Sequence, residues 1–248
     1  MVSSILVIPD LQIPFHHPRS LEFLLRTQAK YKCDQVICVG DETDSAALSS
    51  FPKDPDGMSA GDELKAARAA LKPFAKAFPK LRICESNHRQ RLYKRAFEAG
   101  IPAEYIASTH KYLDVPKGWQ WAFQWKQDGI VFEHGDRGKP VALIDANGAS
   151  TVFGHHHTEA GIWFVSREHC TRFAFNVGSL VDVNAYAFKY AVLAKRKPVL
   201  SCGVILDGLP VLVPMPANQA QAPYRASSKA SKTRIKQSTR AEKPRKRK

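Results

Sequence analysis

Five short apolar runs in this chain each lead into polar side chains that can bind a metal ion, and that pattern restricts the fold more than any other feature. ILVIP runs into Asp10-Leu11-Gln12, QVICV into Gly40-Asp41-Glu42-Thr43-Asp44, LRICE into Ser86-Asn87-His88, IVFE into His134-Gly135-Asp136, and TVF into Gly154-His155-His156-His157. Apolar runs rich in β-branched residues and bounded by turn formers read as buried strands. In open α/β sheets, residues at the carboxyl ends of successive parallel strands converge on the crevice where ligands bind. A single aspartate after a strand is commonly a turn former. Five such strand ends in one chain describe a built site.

The segments between these runs suit an α/β protein. Strands are expected at 5–9, 35–39, 81–84, 130–133 and 151–153. A helix is expected from Pro18 to Lys30, with Leu21, Leu24 and Leu25 on one face and the proline in its first turn. A second helix, Asp62 to Phe78, carries Leu64, Ala67, Leu71, Phe74 and Phe78 at helical spacing, and Pro73 predicts a kink or a break in it. A third, basic helix is expected from Arg89 to about Ala99. Trp119, Trp121, Phe123 and Trp125 alternate with Lys117, Gln120, Gln124 and Lys126, as in a half-exposed antiparallel strand. Runs at 160–165, 171–176, 191–194 and 202–206 suggest a meander belonging to a second sheet.

Charge divides the chain. The net charge is +14, yet from Arg225 onward eleven basic residues face one acid, Glu242, so the tail holds +10 and leaves +4 for the rest. The eleven are Arg225, Lys229, Lys232, Arg234, Lys236, Arg240, Lys243, Arg245, Lys246, Arg247 and Lys248. With almost no large apolar side chains, this stretch cannot bury a core and is expected to be disordered. Its charge suits a polyphosphate partner, DNA or RNA. The domain plan is therefore a folded unit over 1–210, a Pro/Ala/Gln-rich linker over 211–224 and the basic tail over 225–248. No apolar run approaches the roughly 18 residues that span a bilayer. The start of the chain lacks the features of a signal peptide. Five cysteines with no CxxC pair point to free thiols in a reducing cytoplasm, that of a bacterial host if the chain is phage-encoded.

Carboxylate, imidazole and amide donors without thiolates suit hard or borderline divalent ions. Suitable groups are Asp10, Gln12, Asp41, Asn87, His134, His155 and His157. On an extended segment His155 and His157 point to one side and His156 to the other. No Ser or Cys sits in a nucleophile elbow and no glycine-rich phosphate cradle is present, which disfavours covalent catalysis.

The set resembles the calcineurin-like metallophosphoesterase superfamily, whose pattern runs DxH, GDxxD, GNH(D/E), H, GHxH. The resemblance spans about residues 4–208. Asn87-His88-Arg89-Gln90-Arg91-Leu92 is also similar to the NHxxRL run of phage-type members. It implies a four-layer αββα sandwich of two mixed sheets around two divalent ions. Manganese is favoured, with magnesium, iron, zinc or nickel as alternatives. Asp10, Gln12, Asp41 and His157 would hold the first ion. Asp41 would bridge to a second held by Asn87, His134 and His155. His88 would act at the phosphate, oriented by Asp44, and a hydroxide activated by both ions would attack.

Three positions depart from the pattern. Gln12 stands where the family has histidine, Ser86 where it has glycine, and Arg89 where it has an acid. The glutamine predicts a weak first site. Arg89 and Arg91 are candidates to clamp the phosphate, the alternative being that they face solvent. The function expected is a metal-dependent phosphoesterase, foremost a phosphodiesterase or nuclease acting on DNA or RNA. A phosphomonoesterase or protein phosphatase with the same centre, or a catalytically weakened nucleic-acid-binding module, are the alternatives. Asp44 is followed by Ser45-Ala46 rather than Arg-Gly, which argues against a protein phosphatase.

Overall fold

In a computed structural model of the chain, the structure describes residues 4–135, 138–167, 170–182, 185 and 197–220. Its first strand, β1 (Ile5–Ile8), explains the layering by itself. Successive side chains on a strand point to opposite faces. Ile5 and Val7 enter one buried cluster while Leu6 and Ile8 enter another. A strand apolar on both faces has to be central.

β1 pairs in parallel with β2 (Gln35–Cys38), which continues in parallel to β3 (Leu81–Cys84) and β4 (Trp119–Ala122). On its other side β1 pairs antiparallel with β10 (Ser201–Leu206), and β10 with β11 (Leu209–Pro214). The second sheet has the order β5 (Gln124–Gln127), β6 (Ile130–Glu133), β7 (Ser150–Phe153), β9 (Cys170–Asn176), β8 (Gly161–Arg167). Its three central strands are parallel and its two edge strands antiparallel.

The sheets face one another across Ile5, Val7, Ile37 and Val39 on one side and Phe132, Val152, Phe173 and Phe175 on the other. Outside the first sheet lie α1 (Ser20–Tyr31) and α2 (Ala60–Ala77), which bury Phe23, Leu24, Leu71 and Phe74. Outside the second lies α5 (Pro140–Asn147), with Ile144 against Phe153 and Ala174. The expected αββα sandwich of two mixed sheets is present.

Local chemistry sets the helix limits. Ser59 caps α2 by accepting a hydrogen bond from Asp62 N at 3.1 Å. The helix runs on through Pro73 as one element, because that proline lies on the exposed face, where water can serve the carbonyl it leaves unpaired. α5 was absent from the expected elements, yet Pro140 in its first turn and left-handed Gly148 after its end are signals that mark such a helix.

Three expectations need correction. The tryptophan run is two strands, not one. β4 lies parallel to β3 in the first sheet, the chain bends at the exposed Phe123, and β5 is an antiparallel edge of the second sheet. β10 returns to the first sheet instead of extending a meander, since Ile205 and Val204 match the buried faces of β1. Residues 211–214, expected as linker, form part of β11, whose Val211 and Val213 pack on the core. The run at 191–194 and the tail at 225–248 lie outside the described residues. Among the described residues, no helix is long and apolar enough to cross a membrane.

Candidate metal centre

The loops after β1, β2, β3, β6 and β7 deliver their polar residues to one place. Asp10 and Asp41 are buried, and three strained turns aim the ligand loops: Gln12, Asp41 and His155 have positive φ, 48°, 47° and 67°. Asp10 Oδ2 lies 2.8 Å from His157 Nε2 and accepts the His155 backbone N–H at 2.9 Å. Gln12 Nε2 is 3.5 Å from Asp41 Oδ2 and 3.5 Å from His157 Nε2. Asp10, Gln12, Asp41 and His157 therefore form one donor set.

A second set shares Asp41. Its Oδ2 is also 3.5 Å from His134 Nε2, which in turn lies 2.8 Å from Asn87 Oδ1 and 3.2 Å from His155 Nδ1. His134 Nδ1 is 3.0 Å from the Val39 carbonyl oxygen. A carbonyl only accepts, so Nδ1 keeps its proton, and loss of the Nε2 proton would leave a lone pair toward Asp41 and Asn87 for a cation. The seven candidate ligands inferred from the sequence thus come together. His156 stays out of both sets, its ring edge-on to Phe153.

Two observations show that these residues fit cations. Asp10 Oδ1 and Gln12 Oε1 are buried with no hydrogen-bond partner among the described residues, a costly arrangement unless a cation serves them. The donors are carboxylate, imidazole and amide, as hard or borderline ions require. Turning the Gln12 amide would present Oε1 where Nε2 now stands, since the two ends are nearly isosteric. The nearby thiols compete poorly: Cys38 bonds to the Gly40 carbonyl, and burial pushes the Cys38 and Cys84 thiols far up.

The charges are strongly interdependent. Burial pushes the Asp41 carboxyl up, but the imidazoles of His134 and His88 and the Ser86 hydroxyl outweigh it and hold it well below the usual range. Burial lowers His134, and Asp41 and Asp10 more than reverse that, leaving it raised. His157 is likewise lowered by burial and raised on balance by its bond to Asp10. His155 ends low, through burial and its neighbour His134.

Glycine is required at two places. Gly40, at φ 109°, packs against His134, Cys84 and Ser86. At Gly154 a Cβ would overlap Asp10 Oδ1 and come within 2.8 Å of Val39 Cγ2.

His88 stands beside the shared carboxylate, Nε2 at 3.6 Å from Asp41 Oδ2. Its Nδ1 is 3.3 Å from Asp44 Oδ1. Arg91 Nη1 donates to Asp44 Oδ1 at 2.8 Å, and Arg91 Nη2 is 2.9 Å from His88 Nε2. Arginine can only donate, so here Nε2 accepts and the His88 proton lies on Nδ1, toward Asp44. Arg91 thus adjoins the centre and does not face solvent. Arg89 does neither of the things expected of it. Its side chain is buried away from the donors, bonded to Glu85 and Thr109 and laid over the Trp121 ring at 5.0 Å. The register explains this: on α3 (Gln90–Glu98) and the turn before it, Arg91 shares the His88 side while Arg89 is turned toward β4. Asp136 and Arg137 lie outside the described residues.

The sequence reading also missed the partners of these ligands: Ser86 and the Val39 carbonyl, with Glu42 and Trp121 behind them. Glu42 sits inside the GDETD run, and its acidic side chain following Asp41 was the available signal.

No family model matches the chain, and no curated protein matches it. Solved structures give weak likenesses. A phosphoesterase from E. coli, Yfce, has 13% identity and a TM-score of 0.39, over 82% of this chain and 88% of that one. Vps29 from Chaetomium thermophilum has 16% identity and a TM-score of 0.42, over 86% of each chain. The nuclease MPE from Pseudomonas putida has 12% identity and a TM-score of 0.37, over 85% of this chain and 86% of that one. All three fall below the overlap at which superposition alone carries weight. The chain's own two mixed sheets place Asp10, Asp41, Asn87, His134, His155 and His157, in that order, at strand ends that meet in one site.

Proposed function

We propose that the protein is a metal-dependent phosphoesterase that cleaves phosphodiester bonds of DNA or RNA. One observation carries the metal-dependent half: a single oxygen, Asp41 Oδ2, lies 3.5 Å from a donor of each ligand set, Gln12 on one side and His134 on the other. A carboxylate so placed can serve two ions together. Asp10, Gln12, Asp41 and His157 would hold one, and Asp41, Asn87, His134 and His155 the other. Two divalent ions, with Mn²⁺ favoured, supply Lewis-acid neutralisation of the phosphate charge and lower the pKa of bound water.

The chain's own side chains do the rest. Arg91 donates charge-assisted hydrogen bonds to a phosphate oxygen in place of the His88 nitrogen it now meets. Freed from Arg91, His88 Nε2 can take up a proton from solvent, and the imidazolium so formed delivers it to the leaving oxygen. Asp44, beside Nδ1, steadies the imidazolium. The nucleic-acid half is supported by the +10 tail, which gives the folded unit a means of holding a polyanion near the site.

A second reading, a nucleic-acid-binding module with weakened catalysis, is favoured by the Gln12 amide standing where a histidine would be a better ligand for zinc or iron. Hydrolysis of bis(p-nitrophenyl) phosphate with added Mn²⁺ separates the two. The proposal expects turnover in the wild type and its loss in Asp41→Asn, together with loss of bound Mn²⁺. No turnover in the wild type favours the binding module. Equal turnover in both forms removes Asp41 from the shared position.

A further inference from the structure

Asn87 is exposed, and its side-chain oxygen meets His134 alone among the described residues, so the backbone of the 86–89 turn has to aim it. The His88 N–H donates to Asp41 Oδ1 and the Arg89 N–H to Ser86 Oγ, both at 3.4 Å, and the side chain of Arg89, the turn's last residue, anchors it further. The Arg89 guanidinium is gripped from three elements: Glu85 at the end of β3, Thr109 in α4 (Thr109–Leu113), and the Trp121 ring of β4. Trp121 then donates its indole N–H to Glu42 Oε1 at 3.0 Å. Glu42 follows Asp41 in the chain, and its carbonyl accepts from Ile13 N at 3.1 Å, beside Gln12. Two orphaned buried atoms, Arg89 Nε and Glu42 Oε2, complete the cluster.

We propose that Arg89 is a positioning residue: the buried cluster Arg89–Trp121–Glu42 locks the turn carrying Asn87 and His88 to the loop carrying Asp41. The inference rests on the two-ion reading above. Three facts favour it over a plain structural role. The links join two ligand-bearing loops to each other, not one loop to the core. Arg89 has almost no exposed side chain left to meet a substrate, 9% of it. Burying ions is costly, and well-packed apolar replacements of such clusters are often at least as stable, so the fold alone does not explain the arrangement. A planar guanidinium holds Glu85, Thr109 and the indole face together, which an ammonium cannot do.

The test is Mn²⁺ titration by calorimetry, with kcat and KM for the diester, in wild type, Arg89→Met, Arg89→Lys and Arg89→Met/Glu42→Gln. The double variant also neutralises the buried Glu42 carboxylate, whose charge Arg89 offsets, so the question stays answerable if Arg89→Met fails to fold. Expected is about a 10–100-fold weaker affinity for one Mn²⁺, the usual cost of losing a group that orients a ligand. The other Mn²⁺ should bind as before, kcat should fall, KM at saturating metal should hold, and lysine should not rescue. Unchanged metal affinity and kcat with only a lower Tm would overturn the proposal, since Arg89 also walls a cavity of about 590 Å³ and could serve packing alone. A raised KM with both ions retained would overturn it by making Arg89 a substrate contact. A wild type that binds no Mn²⁺ removes the two-ion reading itself, and this inference with it.

Discussion

Gly154 lies so close to Asp10 that a methyl group on its α-carbon would overlap the carboxylate oxygen that has no hydrogen-bond partner among the described residues. The glycine before the histidine trio is therefore set by the carboxylate opposite, not by its own backbone conformation, since its φ is not positive. Gly154→Ala should displace Asp10 and depress diester turnover by about 10²-fold, the usual cost of misplacing a reacting group by an ångström. Circular dichroism should show a retained fold, and metal analysis less bound ion. Full turnover in this variant would mean that Asp10 is not a ligand.

His88→Ala should lower kcat by about 10²–10⁴, the range of general acid–base help, with Mn²⁺ content unchanged. Metal content is the deciding readout. Loss of an ion along with turnover would make His88 a ligand and overturn the role given to it.

Binding of the ions should expel protons. His134 and His157 are held above their ordinary values by the carboxylates beside them. In the metal-free chain these two groups add stability that is fully present below about pH 6.5 and is lost as pH rises through their raised values. Metal needs the unprotonated rings, so its affinity should climb across the same window. His155, held low, contributes with the opposite sign and titrates below that window. Calorimetry from about pH 7 upward in buffers of different ionisation enthalpy should register proton release that shrinks as pH rises. An affinity that is flat over this range, with no protons released, contradicts the assignment of His134 and His157 as ligands.

Deleting the chain after Pro223 should weaken DNA binding and flatten its salt dependence, by about 0.9 in log–log slope for every duplex phosphate the tail no longer neutralises. Diester hydrolysis of a small substrate should be untouched. An identical slope in both forms makes the tail irrelevant to binding.

Most of the site was legible because its residues follow strands that advertise themselves: a run such as ILVI or VICV is apolar at every position, and only a strand buried on both faces tolerates that. Strand partners were less legible. Trp119 to Trp125 alternate as a pleated strand does, but alternation says nothing about which sheet receives each half or where the chain bends between them. β10 has the same apolar character as a member of either sheet, and its place beside β1 is a pairing made across nearly the whole chain. The two arginines show a third limit. Arg89 and Arg91 are alike in charge and close in sequence, and a two-residue step along a helix sends one to the His88 side and the other into a buried cluster.

The pairing of β10 with β1 bears on how the protein comes into being. Asp10 is made long before residues 201–206, yet β1, the strand just before it, stays bare along one edge until those residues are in place. Backbone bridges from Asp10 to Ser179, and from Ser179 to Leu200, tighten that same corner late. A chain cut short before residue 201 would therefore leave β1 without a partner on that side and the corner beside Asp10 unbraced.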